Sequence, residues 1–573
     1  MTADMPRGRF LACLALTLAG AALLRGLFPA ADPPWHATVG VVWHDEGAWV
    51  HNARNRALFG AWALDAWNPM FVAPVFTLLE YVSFELFGVG VRQARLVPQV
   101  MGWLSVLLLA LGVARIAGRR AGCIAGALLA SNYVYVMWNR AALMEAPMTA
   151  FLVASWYCYV RAEEKPHWAW GAAACGLLAF FTKAAAAFFV AALAADAAAM
   201  LLLRGRYTRA SVRPALPALA ALAVCGIVAL VAFVLPNWDD YRFYNWQMSV
   251  TRKPSYDLKS LIDRVTWFPV LHDLFTRMWF VLVAGVLALF GTLTRWKTSR
   301  AGERLLVLWV ALGALELLVH DVGNERRFVF FIPALAALAA IALGSGRPIL
   351  SAAAAAWSRA RALLALPLVA YAAYVLGGAI VRVLFLYEVR PNVRLAAALA
   401  VAAATALYAT WPRVPRWLSR TPVGPAAAAL LTALVVLGDL AQYVQWAAGR
   451  TYRNYEASRL IGRTLPPDTL VHGKLANGLS LENRIRPVFV GHGFGNFDDR
   501  RTRDDVRYIL TYVTPWVGYE GDQILDVLDA YPDRTIIMTF DVAETPSGQD
   551  RAALIDKFGG GPAEGARRGR ADD

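Results

Sequence analysis

Charge is scarce in this chain. Of its 573 residues 17% are charged, while 58% are hydrophobic. Soluble domains carry about 25% charged and about 45–50% apolar residues. The shortage excludes an ordinary soluble protein, and a mean hydropathy of +0.45 points to a polytopic membrane protein. Cysteine is also sparse. The five cysteines, Cys13, Cys123, Cys158, Cys175 and Cys225, all fall in apolar segments. None has metal-ligand spacing and none lies in the C-terminal polar region, which argues against a disulfide framework or a zinc–thiolate site. The chain has no internal repeat and no complete dinucleotide fingerprint. Gly491-His492-Gly493-Phe494-Gly495 has Asn496 where a third glycine belongs, so it reads as a turn. The net charge of +15 does not imply nucleic acid, because the basic residues sit in short loops between apolar runs.

The apolar runs are abundant. A helix needs about 20 apolar residues to cross a bilayer. Spans are expected at 10–29, 96–114, 121–138, 147–160, two within 168–203 split near Lys183, then 214–235, 274–293, 304–320, 328–344, 362–383, 395–411 and 424–445. That is about thirteen. Arg7 and Arg9 ahead of the first run have the look of a signal peptide. No small-x-small cleavage site follows, so the run reads as an uncleaved first helix. With the N-terminus in the cytoplasm, the inside loops carry Arg115, Arg119 and Arg120, then Arg161 and Lys165, and later the clusters around Arg209, Arg300, Arg359 and Arg416. Every inside loop is short and basic, as the positive-inside rule requires. The long segments, 30–95, 236–273 and everything after about 446, fall outside.

The first outer loop contains a turn-rich stretch, Asn68 to Pro74, followed by an amphipathic interfacial helix from Val75 to Phe87. The second mixes Trp, Tyr, Arg and Asp, as suits a segment covering a site. Composition changes at Tyr452. Buried strands are expected at 469–472, 487–490, 508–513 and 535–540, with helical segments near 457–461 and 523–530. These describe a small α/β domain. The chain therefore divides into a helical membrane domain at 1–445, an extracytoplasmic α/β domain at 446–558 and a disordered tail at 559–573, rich in Gly, Ala and Arg. The Ala-rich run 352–356 is helix-compatible filler.

Charged residues inside such a chain are costly and therefore functional by default. Asp45 and Glu46 stand just past the first apolar run, on the outer side. They read as a general base with a supporting ligand; the bland alternative is a helix cap or a pair with Arg54 or Arg56. His44 and His51 lack a fixed metal-binding spacing. Arg140 and Glu145 lie on the outer connection between the third and fourth spans. They either pair with each other or face the cavity of Asp45. Lys183, on the side that disfavours positive charge, either snorkels or meets a phosphate. Arg326 and Arg327 break the positive-inside trend at a third outer turn. They pair with Asp321 or Glu325, or chelate phosphate through their planar donors. Glu316 and His320 are four apart on a helix and share a face.

In order along the chain, four features resemble the GT-C membrane glycosyltransferases, specifically the branch holding protein O-mannosyltransferases and the lipid A aminoarabinose transferase. They are Asp45-Glu46 with Trp49, the Pro-containing stretch Asn68 to Pro74, Arg140 with Glu145-Ala146-Pro147, and Arg326-Arg327-Phe328 with Ile332-Pro333. Lys183 matches the lysine that often follows the fourth span. The resemblance covers about residues 10–345. Relatives often have Tyr where Trp49 and Phe328 stand. The resemblance implies about thirteen helices and a sugar donor carried on polyprenyl phosphate. It implies an acceptor hydroxyl on an envelope glycan, lipid or protein. Asp45 would be the catalytic base of an inverting displacement, supported by Glu46. Lys183, Arg326 and Arg327 would hold the donor phosphate, and Arg140, Glu145 and His320 would meet substrate. No cofactor is required, although Glu46 and Glu145 leave room for a divalent metal. The expected location is a bacterial inner membrane, with lipid as the surrounding partner. The alternative reading is a transporter or flippase of lipid-linked sugars; a paired repeat, which such proteins often show, is missing.

Overall fold

The computed structural model describes residues 5–34, 44–203, 205, 207, 212–250, 257–263, 273–320, 325–346, 359–384, 389–410, 422–491, 494–496, 498–512, 528–543 and 550–560. Outside the described residues fall Val41 to Trp43, Asp321 to Asn324, the Ala-rich run 352–356, most of the 523–530 segment, His492, Gly493 and the tail from 561. The His320 side chain lies outside them too.

Every apolar run expected to span coincides with a helix. The N-terminal half runs α1 (Arg7–Gly26), α2 (His44–Trp49), α3 (His51–Phe59), α4 (Pro74–Phe87), α5 (Val91–Ala117), α6 (Arg119–Ser131), α7 (Tyr133–Trp138), α8 (Glu145–Ala162), α9 (Trp168–Thr182) and α10 (Ala187–Leu202). Among the described residues five helical stretches are long and apolar enough to cross a membrane by length and composition alone: Arg7–Gly26, Val91–Ala117, Ala184–Leu202, Ala215–Val234 and Pro425–Thr464. The 121–138 run is broken at Asn132. Its side chain accepts the Tyr135 N–H at 2.9 Å and so caps α7. Asp439, from the helix Pro425–Ala448, accepts the Tyr133 N–H at 3.2 Å and completes the break.

Small residues let these helices approach closely, because packing rather than water exclusion drives helix association in lipid. The helix Phe331–Gly344 is buried along its whole length. At its end a Cβ on Gly344 would lie 2.6 Å from the Ala121 Cα, so only glycine permits that crossing with α6.

The C-terminal region forms a five-stranded sheet. Its strands are β1 (Leu470–His472), β2 (Arg486–Val488), β3 (Tyr508–Tyr512), β4 (Thr535–Val542) and β5 (Asp550–Asp556), in the order β2-β1-β3-β5-β4. β1 pairs parallel to β2 and β3, while β5 runs antiparallel to both β3 and β4. The four strands expected from the sequence are present, but the last is not buried as expected: β4 lies at the sheet edge, with Phe540 buried and Ile536 exposed. The fifth, β5, was not foreseen, because Asp550-Arg551-Ala552-Ala553-Leu554 lacks the β-branched run that marks a strand. It is nevertheless strongly constrained, since Ala552 and Leu554 fill the core on one face.

His472 ends β1 fully buried. Burial, with Lys557, Arg503 and Arg500 nearby, pushes its imidazole down to about 3 from the ordinary 6.5. Below about 6.5 the unfolded chain binds a proton that the folded chain refuses. The stability tied to a neutral His472 is therefore complete above pH 6.5 and is lost as pH falls toward 3. At pH 5 the loss is roughly 2 kcal/mol, at about 1.4 kcal/mol per pH unit. Melting curves of wild type between pH 7 and 5 should drop more steeply than those of His472→Leu; equal slopes would discount this group.

Candidate active site

α2 is only six residues long, yet all six are buried. Its two carboxylates lie in the first turn, where the helix dipole favours negative charge. So short a helix is marginal alone, and the chain around it supplies the support. The Trp67 indole donates to the Ala48 carbonyl at 2.6 Å. The short helix Lys474–Gly478 packs directly on α2, and a Cβ on Gly47 would lie 1.9 Å from the Asn477 carbonyl oxygen. Gly47→Ala should push these helices apart. Reduced thermal stability and faster proteolysis of the C-terminal region would register that, and an unchanged digestion pattern would contradict it.

α3 is clamped to the same region. His51 lies 2.9 Å from Asp65 through Nε2 and 2.9 Å from the Asn477 amide through Nδ1. Asp65 also accepts the Phe489 N–H at 2.8 Å. Arg54 donates to the carbonyls of Ser480, Asn483 and Ile485 at 3.1, 3.0 and 2.9 Å. The alternative pairing of Arg54 with Asp45 or Glu46 gives way to a grip on the C-terminal region, and His51 serves the same grip.

Four of the residues singled out in the sequence meet in one buried chain of charges. Arg326 donates to Asp45 Oδ2 at 2.7 Å, and its Nε lies 3.4 Å from Glu145 Oε1. Lys183 donates to the same Glu145 oxygen at 2.5 Å. Asp45, Glu145 and Arg326 are each less than a tenth exposed. Each comes from a helix end: α2, the first residue of α8, the residue capping α9, and the turn Glu325–Phe328. Arg327, next in that turn, acts electrostatically on Lys183. Pairing of the arginines with Asp321 or Glu325 lies outside the described residues.

Arg140, expected to meet substrate, and Glu46, expected to support the base, make structural contacts. Arg140 does not pair with Glu145. It donates to the carbonyls of Leu24, Arg25 and Phe28 at 3.1, 2.9 and 2.8 Å and so closes the C-terminus of α1. Its guanidinium also stacks 4.5 Å over Trp446. Helix ends leave carbonyls unsatisfied, and arginine fills them well. Glu46 takes a fork from Arg95, at 2.8 and 2.7 Å, and the Ala142 N–H at 2.7 Å. Arg95 also donates to the Pro29 and Ala31 carbonyls. Glu46 and Arg95 therefore knit the segment after α1, α2, α5 and the 139–144 connection into one wall. Arg95 was not singled out in the sequence, since an arginine entering a long apolar helix reads as an interfacial residue.

Both oxygens of Glu46 serve Arg95, Asp45 Oδ2 serves Arg326, and Glu145 Oε1 serves Arg326 and Lys183, while Glu145 Oε2 is buried with no hydrogen-bond partner among the described residues. Among the described residues no three His, Cys, Asp or Glu side chains gather as ligands.

Comparison with known proteins bears on the fold. The chain is similar to ArnT from Cupriavidus metallidurans bound to undecaprenyl phosphate, at a TM-score of 0.57 and 15% identity, covering 96% of this chain and 98% of that one. Against the apo state of the same enzyme the TM-score is 0.58 at 16% identity, with the same coverage. The chain has the GT-C fold. A family model described as dolichyl-phosphate-mannose-protein mannosyltransferase matches residues 71–234 of this GT-C chain. The Archaeoglobus fulgidus oligosaccharyltransferase is also similar, at a TM-score of 0.48 and 12% identity, covering 88% of this chain and 70% of that one. No curated protein sequence matches. The resemblance read from the ordered motifs is borne out, and the chain is a membrane protein.

Proposed function

We propose that this protein is a membrane glycosyltransferase that moves a sugar from a polyprenyl-phosphate donor to an acceptor hydroxyl on the extracytoplasmic face. The observation that carries the reading is the buried chain Asp45–Arg326–Glu145–Lys183, a base candidate and cations meeting at helix ends on one side. The family-model match and the undecaprenyl phosphate bound by the similar ArnT supply the donor class.

The mechanism follows from the charges. The donor's lipid tail stays in the bilayer and its phosphate enters beside Arg326, Arg327 and Lys183. Its negative charge competes with Asp45 for Arg326. Once Arg326 turns to the phosphate, Asp45 Oδ2 is released from that ion pair. It then accepts the proton of the acceptor hydroxyl. The oxygen attacks the anomeric carbon opposite the phosphate, the anomeric C–O bond breaks, and its electron pair leaves with the phosphate. One displacement inverts the configuration. Cations aimed at the leaving phosphate act where charge develops. Glu145 keeps Arg326 and Lys183 at a common oxygen and so sets their spacing.

Topologically, the N-terminus lies in the cytoplasm and about thirteen crossings bring the C-terminal α/β domain outside, in a bacterial inner membrane. The acceptor is an envelope glycan, lipid or protein. The experiment is to incubate purified protein with labelled polyprenyl-phosphate sugars and extracted envelope acceptors. Transfer of label to an acceptor is expected; transport of the intact donor without transfer would replace this reading with a flippase.

A further inference from the structure

The mechanism leaves a proton on the buried Asp45. We propose that His44 carries this proton away and that Tyr512, on the last residue of β3, orients the His44 ring, so that the C-terminal domain contributes to turnover. This rests on the proposed glycosyl transfer.

Three observations converge. His44, Asp45 and Tyr512 are each less than a tenth exposed, so none is a surface group met by chance. His44 Nε2 lies 3.8 Å from Asp45 Oδ1, the oxygen opposite the one Arg326 holds. The other ring nitrogen, Nδ1, lies 3.4 Å from the Tyr512 hydroxyl. The imidazole therefore stands between the carboxylate and a hydroxyl that both accepts and donates. Such contacts are commonly long without substrate and tighten in the reacting complex. The step needs the tautomer in which Nδ1–H points to Tyr512 Oη and the Nε2 lone pair faces Asp45. The Oδ1–H bond breaks as Nε2–H forms, giving an imidazolium. When the products leave and water enters, the Nε2 proton passes to that water, which leaves His44 neutral with its Nδ1–H still on Tyr512 Oη and Asp45 as the carboxylate. Protons balance, and no redox partner is involved.

The register of β3 puts Tyr512 there. Tyr512 pairs with Ala552 across the β3–β5 ladder, and its ring belongs to the core shared with the helix Lys474–Gly478 that grips α2. The same sheet that buttresses the base thus delivers the hydroxyl. His44 and Tyr512 touch no substrate in this scheme, so they are positioning residues acting through Asp45.

The test uses the purified full-length protein with undecaprenyl-phosphate-linked sugars and envelope extract. In His44→Ala, kcat should fall roughly tenfold to a hundredfold, at the low end of general acid–base effects. KM for donor and acceptor should stay unchanged, and millimolar imidazole should restore much of the rate. Tyr512→Phe should lose several-fold in kcat. A role limited to holding α2 would not respond to imidazole, so loss without rescue overturns the relay, as does unchanged turnover. Should His44→Ala fail to fold, His44→Gln with Tyr512→Phe reads the same kcat loss against KM, and full activity in both overturns it. Absence of transfer by the wild-type protein with every donor instead overturns the proposed function, and the relay with it.

Discussion

Asp45→Asn is expected to lower kcat by roughly 10²–10⁴-fold, the range removed with a positioned general base. The substitution keeps the shape of the side chain and one oxygen able to accept from Arg326, which now sits 2.7 Å from Oδ2. Folding should therefore survive, and thermal melting should change little. What is lost is the charge that draws the acceptor proton. The partition of the defect is informative. Loss of a competitor for Arg326 should leave binding of the donor phosphate equal or tighter while turnover collapses. Binding of undecaprenyl phosphate measured beside single-turnover transfer reads both quantities. Wild-type turnover by the folded variant removes Asp45 from the mechanism, and a parallel loss of donor binding makes it a structural anchor.

Arg326→Ala should have the second largest effect, and on a different step. Loss of one donor aimed at developing charge costs about 3–4 kcal/mol of barrier. Arg326 also holds two buried carboxylates at once, Asp45 and Glu145. Removing one partner of a buried pair leaves uncompensated charge and costs about 3–5 kcal/mol of stability. The variant should thus melt earlier than Asp45→Asn and lose donor affinity more than acceptor affinity. Arg326→Lys should rescue little, because an ammonium cannot reach two carboxylates in the planar geometry of the guanidinium. Equal loss of affinity for donor and acceptor would assign Arg326 to the scaffold alone. Lys183→Met should be milder, since Glu145 keeps Arg326 as a partner.

Much of this was legible before any coordinates. Apolar length and basic short loops placed the helices, because the cost of burying charge in lipid leaves few alternatives. Asp45, Glu145, Lys183 and Arg326 stood out for the same reason: each is a charge at a depth where charge is expensive. Their partners were not legible. Arg140 and Glu46 carry the same signal and yet turn to helix carbonyls and to Arg95. A charge at a helix end satisfies a backbone group as readily as a ligand, and sequence spacing does not separate the two. The short helix Lys474–Gly478 and strand β5 also escaped notice, since five polar-flanked residues or an Ala-rich strand carry little local propensity.

The division has one physical root. The bilayer acts on each segment separately, so residue order alone determined the helical class and the short list of costly charges at helix ends. Tertiary structure alone decided which of those charges neutralise each other. Electrostatic pairing depends on distances of a few ångström between segments far apart in the chain: Asp45 with Arg326, 281 positions away, and His44 with Tyr512, 468 positions away.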